Sequence, residues 1–331
     1  MFRAIFVAAI CLSVAFPSAA SILYVDNSGT PGTYSDLATA ISEASASDTL
    51  MFSGSVTTYP ETQLNKPLTF IGPGYFLTEN GEPQANTRSA SVKLALVDGC
   101  DGSRFIGMRF EEEVMIQDPS NNYIENLVFE RCLFDLSDHT WGLFAQRVTD
   151  LSFIGCYFHN TYPTTVVYFS TLVSTVSFHG CFFQTAAADK YCIEAQCPVV
   201  TVDNCIFNGT LVVVSMDMTD SIVLNGSVTG TIHATYSYCD ATQLSANTGV
   251  VQNVSMSSVF VGTGSTDGRW QILPGSAAAT ASITGDELGI FGGGYVLSGV
   301  PSVPRISSFT SEGYASPASG LRVQATIQSG D

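Results

Sequence analysis

The sequence predicts an all-β fold in which the chain winds into a parallel β-helix, with a short helix and strand as its N-terminal cap and an irregular C-terminal extension. Three observations favour this solenoid. They are a repeat of 24 or 25 residues, Gly or Asn at one position of most repeats, and a composition with 29 Gly and 21 Phe but only 12% charged residues. Units of that length bury their apolar faces only by stacking on one another.

The repeat is clearest in the middle of the chain, where its pattern is apolar-x-apolar-x-x-Cys-x-Phe. Its four copies are LVFERCLF (127–134), LSFIGCYF (151–158), VSFHGCFF (176–183) and VTVDNCIF (200–207). An earlier copy has Met108 in the cysteine place, and weaker copies follow at 222–227 and 254–260. Because alternate residues of a strand share a face, one inward column of Cys132, Cys156, Cys181 and Cys205 is expected. A second inward column then contains Phe110, Phe134, Phe158, Phe183 and Phe207.

The residue before the cysteine place is predicted to bend the chain between two short strands. This position is occupied by Gly107, Arg131, Gly155, Gly180, Asn204 and Gly226. Gly and Asn are the residue types that most readily accept left-handed backbone angles. A period of 24 also fits leucine-rich repeats, but their Asn and Leu spacing is missing and no helical segment separates the copies.

Residues 1–20 are predicted to be a secretory signal peptide. Arg3 precedes an apolar run from Ala4 to Phe16, and small residues lead to a cleavage site near Ala20. The run is shorter than the roughly 20 residues of a membrane-spanning helix, which disfavours the alternative of an N-terminal anchor. We therefore expect a secreted or cell-surface protein with no membrane span.

The mature chain is predicted to begin with a cap and first coil over residues 21–74. Ile22–Asp26 is expected to be a strand, and residues 35–45 a short helix with Ser35 as its N-cap. Leu37, Ile41 and Ala44 would form the buried face of that helix. The β-helix then extends over residues 75–285. The C-terminal extension, 286–331, is expected either to pack on the helix or to act as a surface tail, and it ends in a strand at residues 321–327.

The residue between Cys and Phe should point outward in each coil, which gives a column of Arg109, Leu133, Tyr157, Phe182 and Ile206. Four apolar residues in an exposed column are unusual. One interpretation is that the extension lies along this column and covers it. The other is a sugar-stacking platform for ligand binding at Tyr157 and Phe182.

The cysteines leave several interpretations open. Buried thiols can fill a column as small apolar groups, or bridge adjacent coils as disulfides, since neighbouring strands are close enough. A zinc site is less consistent with the sequence because no Cys-x-x-Cys pair occurs. Cys192 and Cys197 could close a small loop. No metal site is predicted, although the run Glu111-Glu112-Glu113 followed by Gln117-Asp118 could bind Ca²⁺.

The coil pattern, together with the opening strand, helix and LNKPLTFIGPG segment (64–74), resembles secreted right-handed parallel β-helix proteins of the pectate-lyase-like superfamily. The resemblance covers residues 22–285. It implies a right-handed winding and an association with carbohydrate, but this fold also supports lyases, esterases, hydrolases and non-enzymes. The Arg-x-Pro-x-x-Arg segment of pectate lyases is missing, as are the Asp-Asp and Gly-His-Gly segments of polygalacturonases.

Candidates for catalysis are therefore few. The densest local cluster of ionisable residues offers Asp135, Asp138, His139 and Arg147, with Glu130 and Asp150 nearby. A polysaccharide lyase would need acids that hold Ca²⁺ on a uronate and a basic residue, and a hydrolase would need a pair of acids. Either requires at least three of these residues to meet in one groove. The alternative for Asp138 and His139 is a solvated turn.

The net charge of −17 excludes a nucleic-acid partner bound through phosphate neutralisation. The sequence thus favours a non-catalytic secreted or cell-surface protein that contacts an extracellular polysaccharide or a surface protein. The alternatives are a polysaccharide lyase or glycoside hydrolase, and a structural surface or fibre subunit.

Overall fold

The computed structural model describes residues 20–80, 85–136, 141–161, 165–311 and 321–328 of the chain. Within them, 23 strands pair in parallel with the coils before and after. The predicted parallel β-helix is confirmed, and the arrangement is compatible with right-handed winding. Residues 1–19 of the proposed signal peptide, Asp138 and His139 lie outside the described residues.

Sheet 1 forms one side of each coil. Its strands are β1 (Ile22–Val25), β2 (Thr49–Phe52), β4 (Thr69–Ile71), β6 (Arg104–Ile106), β9 (Ile124–Glu130), β12 (Val148–Ile154), β15 (Val176–His179) and β18 (Val200–Asp203). Pairing in register places like residues one above another, so Phe70, Phe105, Phe129, Phe153 and Phe178 form an inward stack. Their ring centroids are 4.7–5.2 Å apart.

Sheet 2 follows the bend after sheet 1. Its strands are β7 (Arg109–Phe110), β10 (Leu133–Leu136), β13 (Tyr157–Asn160), β16 (Phe182–Gln184), β19 (Ile206–Asn208), β21 (Ile222–Leu224) and β23 (Tyr238–Cys239). The predicted column of Phe110, Phe134, Phe158, Phe183 and Phe207 is confirmed, with centroids 4.5–4.9 Å apart. The two phenylalanine stacks touch edge to face along the axis and form the centre of the core.

Sheet 3 closes each coil. Its strands are β3 (Tyr59–Leu64), β5 (Ser91–Leu96), β8 (Val114–Ile116), β11 (Trp141–Ala145), β14 (Thr165–Phe169) and β17 (Tyr191–Ala195). Two further strands, β20 (Thr210–Thr219) and β22 (Val228–Thr235), begin in sheet 3 and end in sheet 1.

The N-terminal cap is formed by β1 and a helix, α1 (Leu37–Glu43). The predicted face of Leu37, Ile41 and Ala44 is buried. The predicted N-cap is wrong by one residue. Asp36 caps α1, because its carboxylate accepts a hydrogen bond from the Thr39 amide at 2.8 Å, the bond that an N-cap supplies.

The cysteine column is inward and buried, as predicted. The thiols of Cys132, Cys156 and Cys181 donate to the carbonyl oxygens of Phe105, Phe129 and Phe153 in the preceding coil, at 3.3–3.5 Å. All eight cysteines among the described residues are free thiols. The loop disulfide that the sequence left open for Cys192 and Cys197 is therefore not formed, and both side chains pack as small apolar groups in the core.

The bend before the cysteine place has a left-handed backbone in Gly107, Arg131, Gly155, Gly180 and Asn204, with φ between 50° and 63°. The prediction fails in the next coil. The weaker copy at 222–227 would put Ser227 in the cysteine place of the coil after Cys205. The structure puts Ser221 there, since the Cys205 amide donates to Ser221 Oγ at 3.0 Å. The left-handed residue there is Asp220, whereas Gly226 lies in the turn after β21. Because β20 runs from sheet 3 into sheet 1 as one strand, this coil needs only 16 residues.

The parallel strands end at Cys239, and a single bridge joins Tyr238 to Val251. Residues 254–302, the covering segment, then run back along sheet 2. Its short 3₁₀ helices are Met256–Ser258, Gly268–Trp270, Ala277–Thr280 and Leu297–Gly299. The covering segment thus begins well before residue 286, where the sequence placed the extension, and residues 254–260 are its start rather than a coil. The chain ends in an antiparallel pair, β24 (Arg305–Ser311) and β25 (Val323–Gln328).

Candidate functional site

The outward column on sheet 2 is covered. Tyr157 and Phe182 have no exposed surface, so the interpretation of an exposed sugar-stacking platform is wrong. Trp270 packs on Phe182 with ring centroids 4.7 Å apart, and the Tyr157 hydroxyl donates to the Thr266 carbonyl at 3.5 Å. The reason is that apolar side chains on sheet 2 are removed from water by the apolar side of the covering segment.

Arg109 is the charged residue of this outward column, and at its level a polar cleft of about 430 Å³ opens at the surface. Three loops, β7 and β10 surround it. Its polar lining residues are Ser55, Thr57, Thr58, Thr78, Glu79, Thr87, Arg88, Ser89, Ser91, Arg109, Glu111 and Asp135, and its less polar ones include Tyr75, Phe76 and Leu133. A concave surface with many convergent polar groups is the default position for a ligand.

Two carboxylates hold Arg109 across the floor of the cleft. One terminal nitrogen, Nη2, donates to Asp135 Oδ2 at 2.7 Å, and the other, Nη1, lies 3.2 Å from Glu111 Oε1. In-register pairing of β7 with β10 places Arg109 beside Leu133, two residues before Asp135. Thr58 donates a hydrogen bond to the second oxygen of Glu111. The three charged side chains remain about 30% exposed, so the cleft can present them to a ligand.

Asp135 also contacts the next coil, where the ring nitrogen Nδ1 of His159 lies 3.3 Å from Asp135 Oδ1. Burial by itself would raise the pKa of the Asp135 carboxyl. The hydrogen bonds to His159 and Arg109, together with the charge of Arg109, outweigh burial, so the pKa lies below its ordinary value. Asp135 is therefore an ionised acceptor, which suits ligand binding better than proton donation.

The wall of the cleft is fixed by the covering segment. The Tyr75 amide donates to the Ser298 carbonyl at 2.7 Å, and the Tyr75 hydroxyl lies 2.8 Å from the Tyr295 hydroxyl. Phe76 packs edge to face on both Tyr75 and Tyr157, with centroids 5.1 and 5.3 Å away. One partly exposed aromatic ring is thus held next to the polar floor.

The other catalytic candidates that the structure describes, Glu130, Arg147 and Asp150, do not meet there. Glu130 lies on sheet 1 and pairs with Arg104 at 3.1 Å. Arg147 lies at the corner between sheets 3 and 1, over the ring of Tyr123. Asp150 is a left-handed residue of β12. The cleft includes only Asp135 of this set, and the requirement that three of them converge is not met by the described residues.

The acidic run contributes one residue to the cleft. Glu111 pairs with Arg109, whereas Glu112 pairs with Lys93 and Asp118 accepts the Asn122 amide at 3.1 Å. Among the described residues, no three His, Cys, Asp or Glu side chains are grouped to hold a metal ion. A Ca²⁺ site in this run therefore has no cluster to support it.

Asp135 was predictable from the sequence as a catalytic candidate and Arg109 as part of the outward column, but the cleft that contains both was not. The signal was the single charge in that column, because an Arg at the end of a row of apolar residues is most easily accommodated beside acidic partners. The hydroxyl residues of the loops gave no signal, since they lie up to 80 residues away in sequence.

Comparison with known proteins adds no family. Neither a protein-family model nor a curated protein sequence matches the chain. In the part of the chain that the structure describes, no helix is long and apolar enough to cross a membrane.

Proposed function

We propose that this chain is a secreted or cell-surface β-helix protein that binds an extracellular glycan in the cleft at Arg109 and Asp135, without cleaving it. The observation that carries the proposal is the lining of the cleft, in which hydroxyls and charged side chains surround a floor beside one aromatic ring. Sugars offer many hydroxyl groups and an apolar ring face, and this lining complements both.

The charges of the cleft support binding rather than catalysis. A general acid needs a raised pKa, whereas the pKa of Asp135 is lowered by His159 and Arg109. A lowered pKa also makes the Asp135 carboxylate a weaker general base. Arg109 is engaged by two carboxylates and is therefore a poor candidate for the base of a lyase.

A polysaccharide lyase or glycoside hydrolase is the second candidate, and the observation in its favour is that Asp135 lines the cleft. We also propose that the chain is related to the pectate-lyase-like superfamily. The parallel coils and the N-terminal cap support this relationship. Contact with a surface protein is the other outcome that a binding experiment can reveal.

The test is a glycan array combined with a reducing-sugar assay, using the mature chain with and without Ca²⁺. We expect binding to a defined set of glycans and no new reducing ends. The Asp135→Asn variant should bind about tenfold more weakly, because a charge-assisted hydrogen bond contributes about 1.5–3 kcal/mol. Glu130→Gln is the matched control, since Glu130 has a similar ion pair outside the cleft. Binding with equal loss in both variants, or sugar release that Asp135→Asn abolishes, would contradict the proposal.

A further inference from the structure

We infer that the cleft takes a neutral, hydroxyl-rich polysaccharide and discriminates against uronate polymers. This inference rests on the proposed glycan-binding function and names the chemical class of the ligand. It is carried by the pairing of Arg109 with two carboxylates and by the negative formal charge of the cleft lining.

Both terminal nitrogens of Arg109 are already engaged by carboxylates of the protein. Recognition of a carboxylate by arginine normally uses two parallel N–H donors. In this cleft Nη2 donates to Asp135 and Nη1 faces Glu111, at 2.7 and 3.2 Å. A uronate would have to share these two nitrogens with both carboxylates, whose negative charges repel it. The third nitrogen, Nε, is buried and is not accessible to a ligand.

The other basic group of the lining is Arg88, which is exposed and has no ion-pair partner among the described residues. It faces three acids in the same lining, Glu79, Glu111 and Asp135, so the formal charge of the cleft is two minus three, or −1. The whole chain has a charge of −17, and its field repels a polyanion at longer range.

The same groups suit a neutral sugar. Each carboxylate oxygen of Glu111 and Asp135 has one partner in the protein and can accept a second hydrogen bond. The ligand must therefore bring donors, and sugar hydroxyls are donors. Hydroxyl-to-carboxylate bonds are about twice as strong as bonds between neutral groups. The Ser and Thr side chains of the loops both donate and accept, and they complement the remaining hydroxyls.

The experiment is affinity electrophoresis of the mature chain in native gels that contain one polysaccharide each. The neutral polymers are galactomannan, xyloglucan and mixed-linkage β-glucan, and the uronate polymers are polygalacturonate and alginate. We expect retardation by at least one neutral polymer, unchanged between low and high ionic strength, and none by the uronates. Arg104→Ala should leave the neutral retardation unchanged within about twofold, because the exposed ion pair of Arg104 with Glu130 lies outside the cleft and exposed charges contribute little.

The Glu111→Gln variant tests the pairing directly. It removes one carboxylate from Arg109, so neutral binding should weaken about tenfold, the loss expected for one charge-assisted hydrogen bond, while a weak, salt-sensitive retardation by polygalacturonate should appear. Glu112→Gln, in the neighbouring pair with Lys93 outside the cleft, is the control. Thermal melting of each variant shows that it is folded.

The outcomes separate the two claims. Retardation by uronates alone, lost at high ionic strength or in Arg88→Ala, would overturn this inference and leave glycan binding in place. No retardation by any polymer, with the array also blank, would overturn the proposed function itself.

Discussion

The backbone amide of Cys181 donates a hydrogen bond to the Sγ atom of Cys205, 3.3 Å away in the next coil. The Cys205 thiol in turn lies 3.2 Å from the carbonyl oxygen of Asp203. The cysteine column therefore makes hydrogen bonds within and between coils as well as filling space in the core. Ser221 and Ser237 continue it with hydroxyls, which make the same bonds at 3.0 and 3.1 Å.

The eight cysteines should be unreactive in the folded protein and fully reactive after unfolding. Each is buried, and burial raises the pKa of the Cys100 thiol to about 12 and of the Cys197 thiol to about 11. The thiolate is the reactive form, so alkylation should be negligible in the native state. Mass spectrometry after alkylation in denaturant without reductant should find eight modified thiols on the mature chain. Six or fewer would show disulfides that contradict the free column.

Gly155→Ala should destabilise the protein through its backbone angle. The φ of Gly155 is +60°, and a Cβ atom there would lie 3.6 Å from Arg131 Cγ, an ordinary contact. The expected loss in the free energy of unfolding is about 1–2 kcal/mol from the left-handed conformation alone. Gly155→Asn should lose less, since Asn204 occupies the equivalent bend with φ 50°. Urea denaturation measures both, and equal losses would refute the explanation.

Asp267→Ala should loosen the covering segment. The Asp267 side chain is fully buried and accepts hydrogen bonds from the Ser298 amide, the Ser265 hydroxyl and the Tyr295 hydroxyl, at 2.6, 2.9 and 3.3 Å. Removing the acceptor leaves buried donors unsatisfied, at a cost of about 3 kcal/mol.

The measurements for Asp267→Ala are urea denaturation and the fluorescence of a hydrophobic dye, which should rise as Tyr157 and Phe182 become accessible. Asp286→Ala is the control, because Asp286 is exposed and accepts one hydroxyl bond from Thr284. Its effect should stay within about 0.5 kcal/mol. Dye binding that is the same in both variants would argue against the role of Asp267.

His179 should make stability depend on pH. A hydrogen bond to Asp203, 2.9 Å away, raises the pKa of His179 above 6.5 despite its partial burial. A raised histidine pKa stabilises the folded state below the unfolded value, and that stabilisation disappears as pH rises through the folded pKa. The melting temperature of the wild type should therefore exceed that of His179→Gln below pH 6.5 and converge with it above the raised pKa. For a half-exposed pair the difference is less than about 1 kcal/mol. A difference that grows with pH would contradict this assignment.

Much of the fold was predictable because residues at equivalent positions of the repeat lie one above another in successive coils. The spacing of Cys132, Cys156, Cys181 and Cys205 predicted the inward column, and the alternation of Leu127 and Phe129 predicted the strands. The repeat was assigned wrongly at Ser221 because that coil shortens from 24 to 16 residues. The strand β20 passes from sheet 3 into sheet 1 without a turn, and no residue type in β20 indicates that the turn is missing.

The candidate site was less predictable for a different physical reason. The Arg109–Asp135 pair spans one coil and follows from the register of β7 and β10. Thr58, Phe76 and Arg88 reach the same cleft through loops that carry no repeat. The burial of Tyr157 depends on Trp270 and Thr266, more than a hundred residues later, and only the path of the covering segment determines it.

The covering segment touches coils that have no direct contact with one another. Ser298 bonds to Tyr75, Val300 to Arg131 and Gly289 to Asp220, and these anchor points are distributed along the stack from an early turn to a late one. A stack whose turns contact only their neighbours can fray from either end, one turn at a time. Here the covering segment links distant coils, so we expect the coils to unfold together in one transition rather than one at a time.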